Sequence, residues 1–234
     1  MKYRALALIA LLGLASCGAP GQKAAEAPVI RPNEVTDFHR LYAQNCSGCH
    51  GADAQGGLTV GIGSPVYLAI ADDATIRRVA SQGVPGTAMP AFAQKSGGLL
   101  TEAQIDILVR GIRTRWARPD ALGHDKPPAY KASTPGDAAR GQTVFATFCS
   151  SCHGADGRGG RGGSIADSSY LALVSDQHLR TVTITGMPAF GAPDWRGNVR
   201  GKPMSDGDVT DVVAWLAAQR MPLSTQLNPA GGSQ

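Results

Sequence analysis

Apolar side chains recur at a helical period of about 3.6 residues in several stretches of the chain, with polar residues between them. These stretches predict helices that begin at capping residues: Glu34–Gln44 after Asn33, Ala74–Gln82 after Asp72 or Asp73, Thr101 to about Trp116, Asp137–Phe148, a short helix opened by Ser175 or Asp176, and a last helix opened by Ser205 or Asp206. Thr101 and Gln104 have the spacing of a capping box. The order of elements before residue 117 repeats after residue 136. The pattern therefore predicts an all-α chain with two similar lobes.

One short motif occurs once in each lobe, directly after the first helix. Residues 46–50 (CSGCH) and 149–153 (CSSCH) both read C-x-x-C-H, and the two copies are 103 residues apart. This is the pattern for covalent attachment of haem c, in which two thiols bond to the haem vinyl groups and the histidine binds the iron. A zinc ribbon would need its second cysteine pair within about twenty residues, and a thioredoxin-type dithiol would need a βαβ pattern. Neither condition holds in this sequence.

The motif therefore predicts two haem c groups, one in each lobe. The residues assigned to covalent attachment are Cys46, Cys49, Cys149 and Cys152, and the proximal iron ligands are His50 and His153. Glycine is abundant, with 30 residues, and glycine-rich loops suit a backbone that wraps closely around a flat cofactor.

Each lobe resembles a class I cytochrome c, with a first helix, the C-x-x-C-H motif, a glycine-rich loop, a Met-Pro segment and an amphipathic last helix. Over residues 34–220 the chain resembles the tandem dihaem cytochromes of the c4-like type. The resemblance implies two class I cytochrome c domains in tandem, each a small helical bundle around its haem, with a Met thioether as the distal iron ligand. Met89 and Met187 follow the proximal histidines by 39 and 34 residues, and both occur in the sequence M-P-A-F. They are the predicted distal ligands.

The second lobe departs from the first around its distal ligand. Relative to the haem motifs, it lacks five residues before Met187 and has six additional residues after Phe190. Met204 lies in that insertion and is the reserve candidate for the distal ligand. His178 would give bis-histidine ligation, but we expect it on the exposed face of its short helix. Two further histidines are expected at the surface: His39 and His124.

The resemblance also implies two packing details. The backbone carbonyl of Pro65 is expected to accept the Nδ1–H of His50, and the second lobe has Ser168 at the equivalent position. In this fold the first and last helices cross closely, so the crossing needs a small residue against a large one. In lobe one the large residue is on the first helix and the small one on the last helix, and the expected pair is Phe38–Gly111. In lobe two the order is reversed, and the expected pair is Gly141–Trp215.

The first 17 residues have the features of a bacterial lipoprotein signal peptide. A basic start precedes a short apolar stretch, and residues 14–17 (LASC) resemble a lipobox. In such signals the cysteine is acylated, so Cys17 would anchor the protein to a membrane without a transmembrane helix. The count of five cysteines agrees, since four are assigned to haem and one to lipid. An ordinary signal peptide with an incidental Cys17 is the alternative.

These features predict the organisation of the whole chain. The segments are a lipoprotein signal peptide with its lipobox Cys (1–17), a flexible tether (18–33), cytochrome c domain 1 (34–116), a proline-rich linker (117–136), cytochrome c domain 2 (137–221) and a disordered tail (222–234). The linker has four prolines and is expected to be fairly stiff.

The formal net charge is +4, but the basic residues form no run and do not alternate with aromatic residues. The absence of these two patterns argues against nucleic-acid binding. Two axial ligands on each iron leave no coordination position for a substrate, so we expect an electron carrier and not an enzyme. The expected location is the periplasm, where the lipid anchors the protein to a bacterial membrane and redox proteins of respiration or photosynthesis are its partners. The alternatives are a peroxidase- or reductase-like dihaem enzyme with an open iron in domain 2, and a cytochrome subunit of a dehydrogenase or oxidase complex.

Overall fold

The computed structural model describes residues 30–57 and 59–220. The predicted signal peptide with Cys17, most of the predicted tether and the predicted disordered tail lie outside the described residues. The chain divides into two units, Met1–Glu34 and Val35–Gln234. In the first unit, the described residues include one 3₁₀ turn, Pro32–Glu34. The second unit contains both lobes.

The described part of the chain contains ten α-helices and no β-strand, which confirms the all-α prediction. Lobe one contains α1 (Phe38–Asn45), α2 (Ser47–His50), α3 (Pro65–Ile70), α4 (Asp73–Gln82) and α5 (Glu102–Trp116). Lobe two contains α6 (Ala138–Phe148), α7 (Ser150–His153), α8 (Ser168–Leu173), α9 (Asp176–Thr185) and α10 (Asp206–Ala217). The five helices of lobe two follow in the same order as those of lobe one. The capping box at Thr101 is present, and a second one forms at Ser205 with Asp208.

The predicted start of the first helix at Glu34 is wrong. Helix α1 begins at Phe38, because the carboxylate of Asp37 caps it by accepting the backbone N–H of Arg40 at 2.7 Å. Asp and Asn are about equally good N-caps, so a polar residue at position 33 could not by itself locate the helix start. Val35, predicted to lie on this helix, precedes it and is still buried in the lobe-one core.

The first and last helices of each lobe cross at a glycine, and both expected pairs are in contact. A Cβ atom built at Gly111 on α5 would overlap the ring of Phe38 on α1. In lobe two, a Cβ atom at Gly141 on α6 would overlap the backbone carbonyl of Asp211 on α10 and lie 2.8 Å from the Cβ of Trp215. The exchange of small and large residues between helices is therefore confirmed, and it preserves the contact volume at the crossing.

Each lobe has an apolar core between its first and last helices. In lobe one, the predicted inward residues of α5 are all buried: Ile105, Leu108, Val109 and Ile112. In lobe two, the predicted inward residues of α10 are buried as well: Val209, Val212, Val213 and Leu216. Aromatic rings complete both cores, with Tyr42 against Trp116 at 5.1 Å between centroids and Phe145 against Trp215 at 4.4 Å.

The proline-rich linker is held against lobe two along part of its length. The guanidinium of Arg180 on α9 is 3% exposed and donates to the carbonyl of Ala129 at 2.8 and 2.9 Å. It also donates to the hydroxyl of Thr210 at 2.8 Å and pairs with Asp206. Next along the linker, the carbonyl of Tyr130 accepts the side-chain amide of Gln177 at 2.7 Å. The linker is therefore fixed in place by side chains of α9 and α10, which its sequence alone does not indicate.

Replacing Arg180 with alanine is expected to destabilise the protein by about 2 kcal/mol. The change leaves a linker carbonyl and the Thr210 hydroxyl without their donor, although half-exposed Asp206 can regain water, so the loss stays below that of a fully buried pair. Urea unfolding of the holoprotein measures the effect. Arg200→Ala is the matched control, because Arg200 is exposed and its replacement should change the free energy of unfolding by less than about 0.5 kcal/mol. Equal effects of the two variants would contradict the assigned role of Arg180.

Candidate haem-attachment sites

The C-x-x-C-H motif forms a single helical turn at the end of the first helix in each lobe. Cys46 is the cap residue between α1 and the one-turn helix α2, and Cys149 is the cap residue between α6 and α7. The turns end at Gly51 and Gly154, whose φ angles of 83° and 77° are in the left-handed region that favours glycine. Because the turn is helical, both thiols and the histidine of a motif are presented close together.

The two thiols of each motif have different surroundings. Burial raises the pKa of the Cys46 thiol to about 12 and that of the Cys149 thiol to about 12. Cys152 lies at the outer side, where hydrogen bonds from Arg161 and Ser151 lower its pKa. The guanidinium of Arg161 is 3.1 Å from the Cys152 sulfur. The first cysteine of each motif therefore points inward, and the second cysteine of lobe two lies near the surface.

Each proximal histidine has its ring fixed by a backbone carbonyl. Nδ1 of His50 is 2.8 Å from the carbonyl oxygen of Val60, and Nδ1 of His153 is 2.8 Å from that of Gly163. Burial lowers the pKa of His50, although the bond to Val60 opposes this shift. A neutral imidazole whose Nδ1–H is donated in this way presents the lone pair of Nε2, which is the atom that ligates a metal.

The expectation that Pro65 accepts the proximal hydrogen bond is wrong. The acceptor carbonyl lies ten residues after the histidine in both lobes, and Pro65 is instead the first residue of α3, capped by the Ser64 hydroxyl. Proline is favoured at the first position of a helix because its missing N–H would have no partner there. The Ser-Pro pair was a sequence signal for this helix start, whereas no side chain marks the acceptor carbonyls of Val60 and Gly163.

The glycine-rich loop packs directly on the haem motif in both lobes. A Cβ atom at Gly57 would lie 2.9 Å from the carbonyl oxygen of Cys49, and one at Gly160 would overlap the carbonyl oxygen of Cys152. Only glycine lets the loop approach this closely. The donor set in each lobe (two thiols, one fixed imidazole and a Met-bearing loop) therefore fits the haem c predicted from the motif.

The two predicted distal ligands lie in loops of different length and shape. The backbone N–H of Met89 is 3.2 Å from the Thr87 hydroxyl, and its carbonyl accepts the N–H of Val84 at 3.0 Å. In lobe two the segment after Met187 closes into a 3₁₀ turn, Pro188–Phe190, and Met187 exchanges two backbone hydrogen bonds with Ala192. The Met187 segment is therefore held by a local turn on its C-terminal side, whereas the Met89 segment is held by bonds to residues before it.

The surroundings of Met204 differ from those of the two predicted ligands. Met204 is only 2% exposed and belongs to the lobe-two core, and its sulfur lies 3.7 Å from the side-chain amide of Asn198. Protein atoms enclose Met204, whereas Met89 and Met187 are only partly enclosed by protein. This arrangement favours Met187 over Met204 as the distal ligand of lobe two.

His178 does not lie on an exposed helix face, as the sequence suggested, but at the contact between the two lobes. Its Nδ1 is 3.4 Å from the hydroxyl of Thr59, which precedes the carbonyl that fixes His50. Burial, with a smaller contribution from the charge of His50, lowers the pKa of His178 to about 4, so its ring is neutral at pH 7. His39 and His124 are exposed, as predicted.

Within residues 30–57 and 59–220, no cluster of three or more His, Cys, Asp or Glu side chains forms a separate metal site. No helix in the same ranges is both long and apolar enough to cross a membrane.

Comparison with known proteins supports two cytochrome c domains, each with one haem c. The family model described as cytochrome C oxidase, cbb3-type, subunit III matches twice, over residues 33–110 and 136–216. The chain is also 29% identical over 192 residues to the cytochrome bc1 complex cytochrome c subunits of Mycobacterium bovis and Mycobacterium tuberculosis, covering 79% of this chain and 68% of each relative.

Two solved structures are more distantly similar. One is a chain of the Kuenenia stuttgartiensis reducing HAO-like protein complex, with 18% identity, a TM-score of 0.43 and coverage of 79% of this chain and 96% of that chain. The other is the dihydro-heme d1 dehydrogenase NirN, with 29% identity, a TM-score of 0.30 and coverage of 44% of this chain and 21% of that chain. These TM-scores are too low to support an argument about function.

Proposed function

Since the chain belongs to the family of cytochrome C oxidase, cbb3-type, subunit III, and is a dihaem cytochrome c, we propose that it carries single electrons between redox proteins of a respiratory chain. We place it in the periplasm, anchored to a bacterial membrane through a lipid on Cys17. The two haem c groups supply the one-electron redox chemistry when bound. The similarity to cytochrome c subunits of bc1 complexes supports partners of the respiratory type.

The observation that carries the proposal is the pairing of a fixed imidazole with a Met-bearing loop in each lobe. His50 and His153 are held by carbonyls at the same spacing, and Met89 and Met187 stand in the same M-P-A-F sequence. His50 with Met89 and His153 with Met187 would hold the two haem irons, and such a ligand pair would leave no coordination position for a substrate. The protein would then bind and orient its haems, tune their potentials through axial ligands and burial, and leave the reaction to its partners.

A second function is favoured by one observation in lobe two. Phe190 of the lobe-two M-P-A-F is 68% exposed, whereas its counterpart Phe92 packs against the lobe-one core. If this difference reflects a mobile Met187 loop, lobe two would hold an open iron and the protein would be a peroxidase- or reductase-like enzyme. The fixed backbone bonds between Met187 and Ala192 favour the carrier.

Binding of carbon monoxide to the fully reduced holoprotein distinguishes the two functions. We expect no binding by the native protein, because carbon monoxide needs a free position on Fe(II). Met89→Ala and Met187→Ala should each bind about one carbon monoxide per chain. Optical difference spectra, normalised to haem content, measure the stoichiometry.

Met204→Ala is the control for this experiment. It removes a buried Met of the same lobe, so it should lower stability without creating a carbon monoxide site. Binding of about one carbon monoxide per chain by the native protein would overturn the carrier function. Binding by Met204→Ala but not by Met187→Ala would reassign the distal ligand.

A further inference from the structure

The carbonyl that fixes each proximal histidine has different surroundings in the two lobes. The acceptor is the carbonyl of Val60 in lobe one and that of Gly163 in lobe two. The side chain of Val60 packs against the lobe-one core, whereas Gly163 and its neighbour Gly162 have no side chains and are exposed. The histidines differ in the same sense, since His50 is buried and His153 is only half-buried. The lobe-one acceptor therefore belongs to a packed segment, and the lobe-two acceptor lies at the surface.

The residue directly before the acceptor also differs between the lobes. In lobe two it is Gly162, where a Cβ atom would lie 2.8 Å from the ring of His153. Lobe one has Thr59 at the equivalent position, and the Thr59 hydroxyl lies 3.4 Å from Nδ1 of His178. Because His178 belongs to α9, this contact crosses from one lobe to the other. Thr59 is therefore held from outside its own lobe, one residue before the acceptor carbonyl.

The lobe-two side of this contact is fixed in position. Helix α9 packs on α3 of lobe one and on α10 of lobe two. The hydroxyl of Ser175 caps α9 by accepting the backbone N–H of His178 at 3.1 Å. Close by, Val66 of α3 is buried in the apolar cluster of lobe two, which holds the two lobes together. Thr59 therefore meets a side chain whose backbone is anchored by its own helix cap.

We propose that His178 of lobe two is a positioning residue for the proximal iron ligand of lobe one. By holding Thr59, it keeps the next carbonyl, that of Val60, on Nδ1 of His50. A hydrogen bond from Nδ1–H raises the basicity of a ligating imidazole, and a more basic ligand favours Fe(III) over Fe(II). The potential of the lobe-one haem then depends on lobe two. No such dependence runs the other way, because the lobe-two acceptor has no contact of this kind.

A redox titration of the full-length holoprotein, followed by proton NMR, tests the proposal. Each oxidised haem gives its own shifted methyl signals, and Overhauser contacts to the ring of His50 or His153 assign them to a lobe. Thr59→Val removes the hydroxyl with little change of shape, and His178→Ala removes its partner. Each variant should raise the ratio of reduced to oxidised lobe-one haem, at a fixed applied potential, about threefold, which is about 28 mV at 59 mV per tenfold. The ratio for the lobe-two haem should stay as in the native protein.

Three further variants separate a positioning role from a general loss of packing. The double variant Thr59→Val with His178→Ala should match each single variant, since all of them lose the same contact. Thr59→Ser retains the hydroxyl, and His178→Asn places an amide near the position of Nδ1, so both should restore the native ratio. His124→Ala is the control, because His124 is exposed on the linker, and it should change neither haem.

Three results would each overturn the proposal: an unchanged lobe-one ratio in Thr59→Val and His178→Ala, equal shifts of both haems, or additive effects in the double variant. A lower free energy of unfolding with a native ratio would assign the contact to lobe packing alone. The inference shares with the proposed function only the haem c of lobe one and its ligand His50. Carbon monoxide binding at lobe two of the native protein would therefore refute the carrier function and leave the expected lobe-one shift unchanged.

Discussion

Replacing Cys149 and Cys152 together with alanine is expected to leave one covalently bound haem per chain instead of two. Without the thiols of lobe two no thioether can form there, while the lobe-one motif keeps Cys46 and Cys49 on its own helical turn. Lobe two should also lose cooperative folding, because binding of a cofactor to the native state contributes directly to folding free energy. The alkaline pyridine haemochrome assay, divided by protein concentration, measures the haem count, and the intact mass confirms it.

Two matched variants test this prediction. Replacing Cys46 and Cys49 with alanine should also leave one haem per chain, located in lobe two. Cys17→Ser should keep both haems and, if Cys17 carries the lipid, move the protein from the membrane fraction to the soluble periplasmic fraction. Retention of two covalent haems after loss of Cys149 and Cys152 would contradict the assignment of these thiols.

Gly141→Ala is expected to destabilise the protein by about 3 kcal/mol. The new methyl group would overlap the backbone carbonyl of Asp211 on α10, and a backbone atom in a packed helix pair cannot move aside as a flexible side chain can. The gain in helix propensity from glycine to alanine, about 1 kcal/mol, offsets only part of this cost. Urea unfolding of the holoprotein, followed by the haem absorbance, gives the change in free energy.

Gly207→Ala on α10 is the matched control for Gly141→Ala. The nearest atom to its new Cβ would be the Ser205 hydroxyl at 3.7 Å, so the variant should be neutral or more stable by up to about 1 kcal/mol. In lobe one, Gly111→Ala would meet the Phe38 ring, which can rotate, so combining it with Phe38→Leu should recover part of the lost stability. An equal effect of the Gly141 and Gly207 variants would refute the role of the crossing.

Long helices with a continuous apolar period could be predicted from the sequence, and short ones could not. Helices α4, α5 and α6 agree with their predicted ranges to within one residue at each end. For α10 only the start was predicted, and the helix begins at Asp206, one of the two predicted residues. Helices α3 and α8 are six residues long, too short to show a period, and were not predicted. The predicted start of α1 was wrong because Asn33 and Asp37, one helical turn apart, could each have capped it.

In the candidate sites, too, features set by local sequence could be predicted, and features set by long-range packing could not. The thiols and proximal histidines have fixed spacings along the chain, so their sequence motif predicted them. The carbonyls of Val60 and Gly163 were missed because a backbone acceptor has no side-chain signature. The position of His178 depends on how lobe two packs on lobe one, and no local pattern contains that information.

The linker has a consequence for the speed of internal electron exchange. Arg180 and Gln177 hold the carbonyls of Ala129 and Tyr130 against lobe two, and Thr59 of lobe one contacts His178 of lobe two, so the lobes are not joined by a freely moving tether. Exchange between the two centres then does not wait for a diffusive encounter of lobes. With both haems bound, its rate would be set by electron tunnelling between packed lobes and should be insensitive to solvent viscosity, whereas the encounter with an outside partner should slow as viscosity rises.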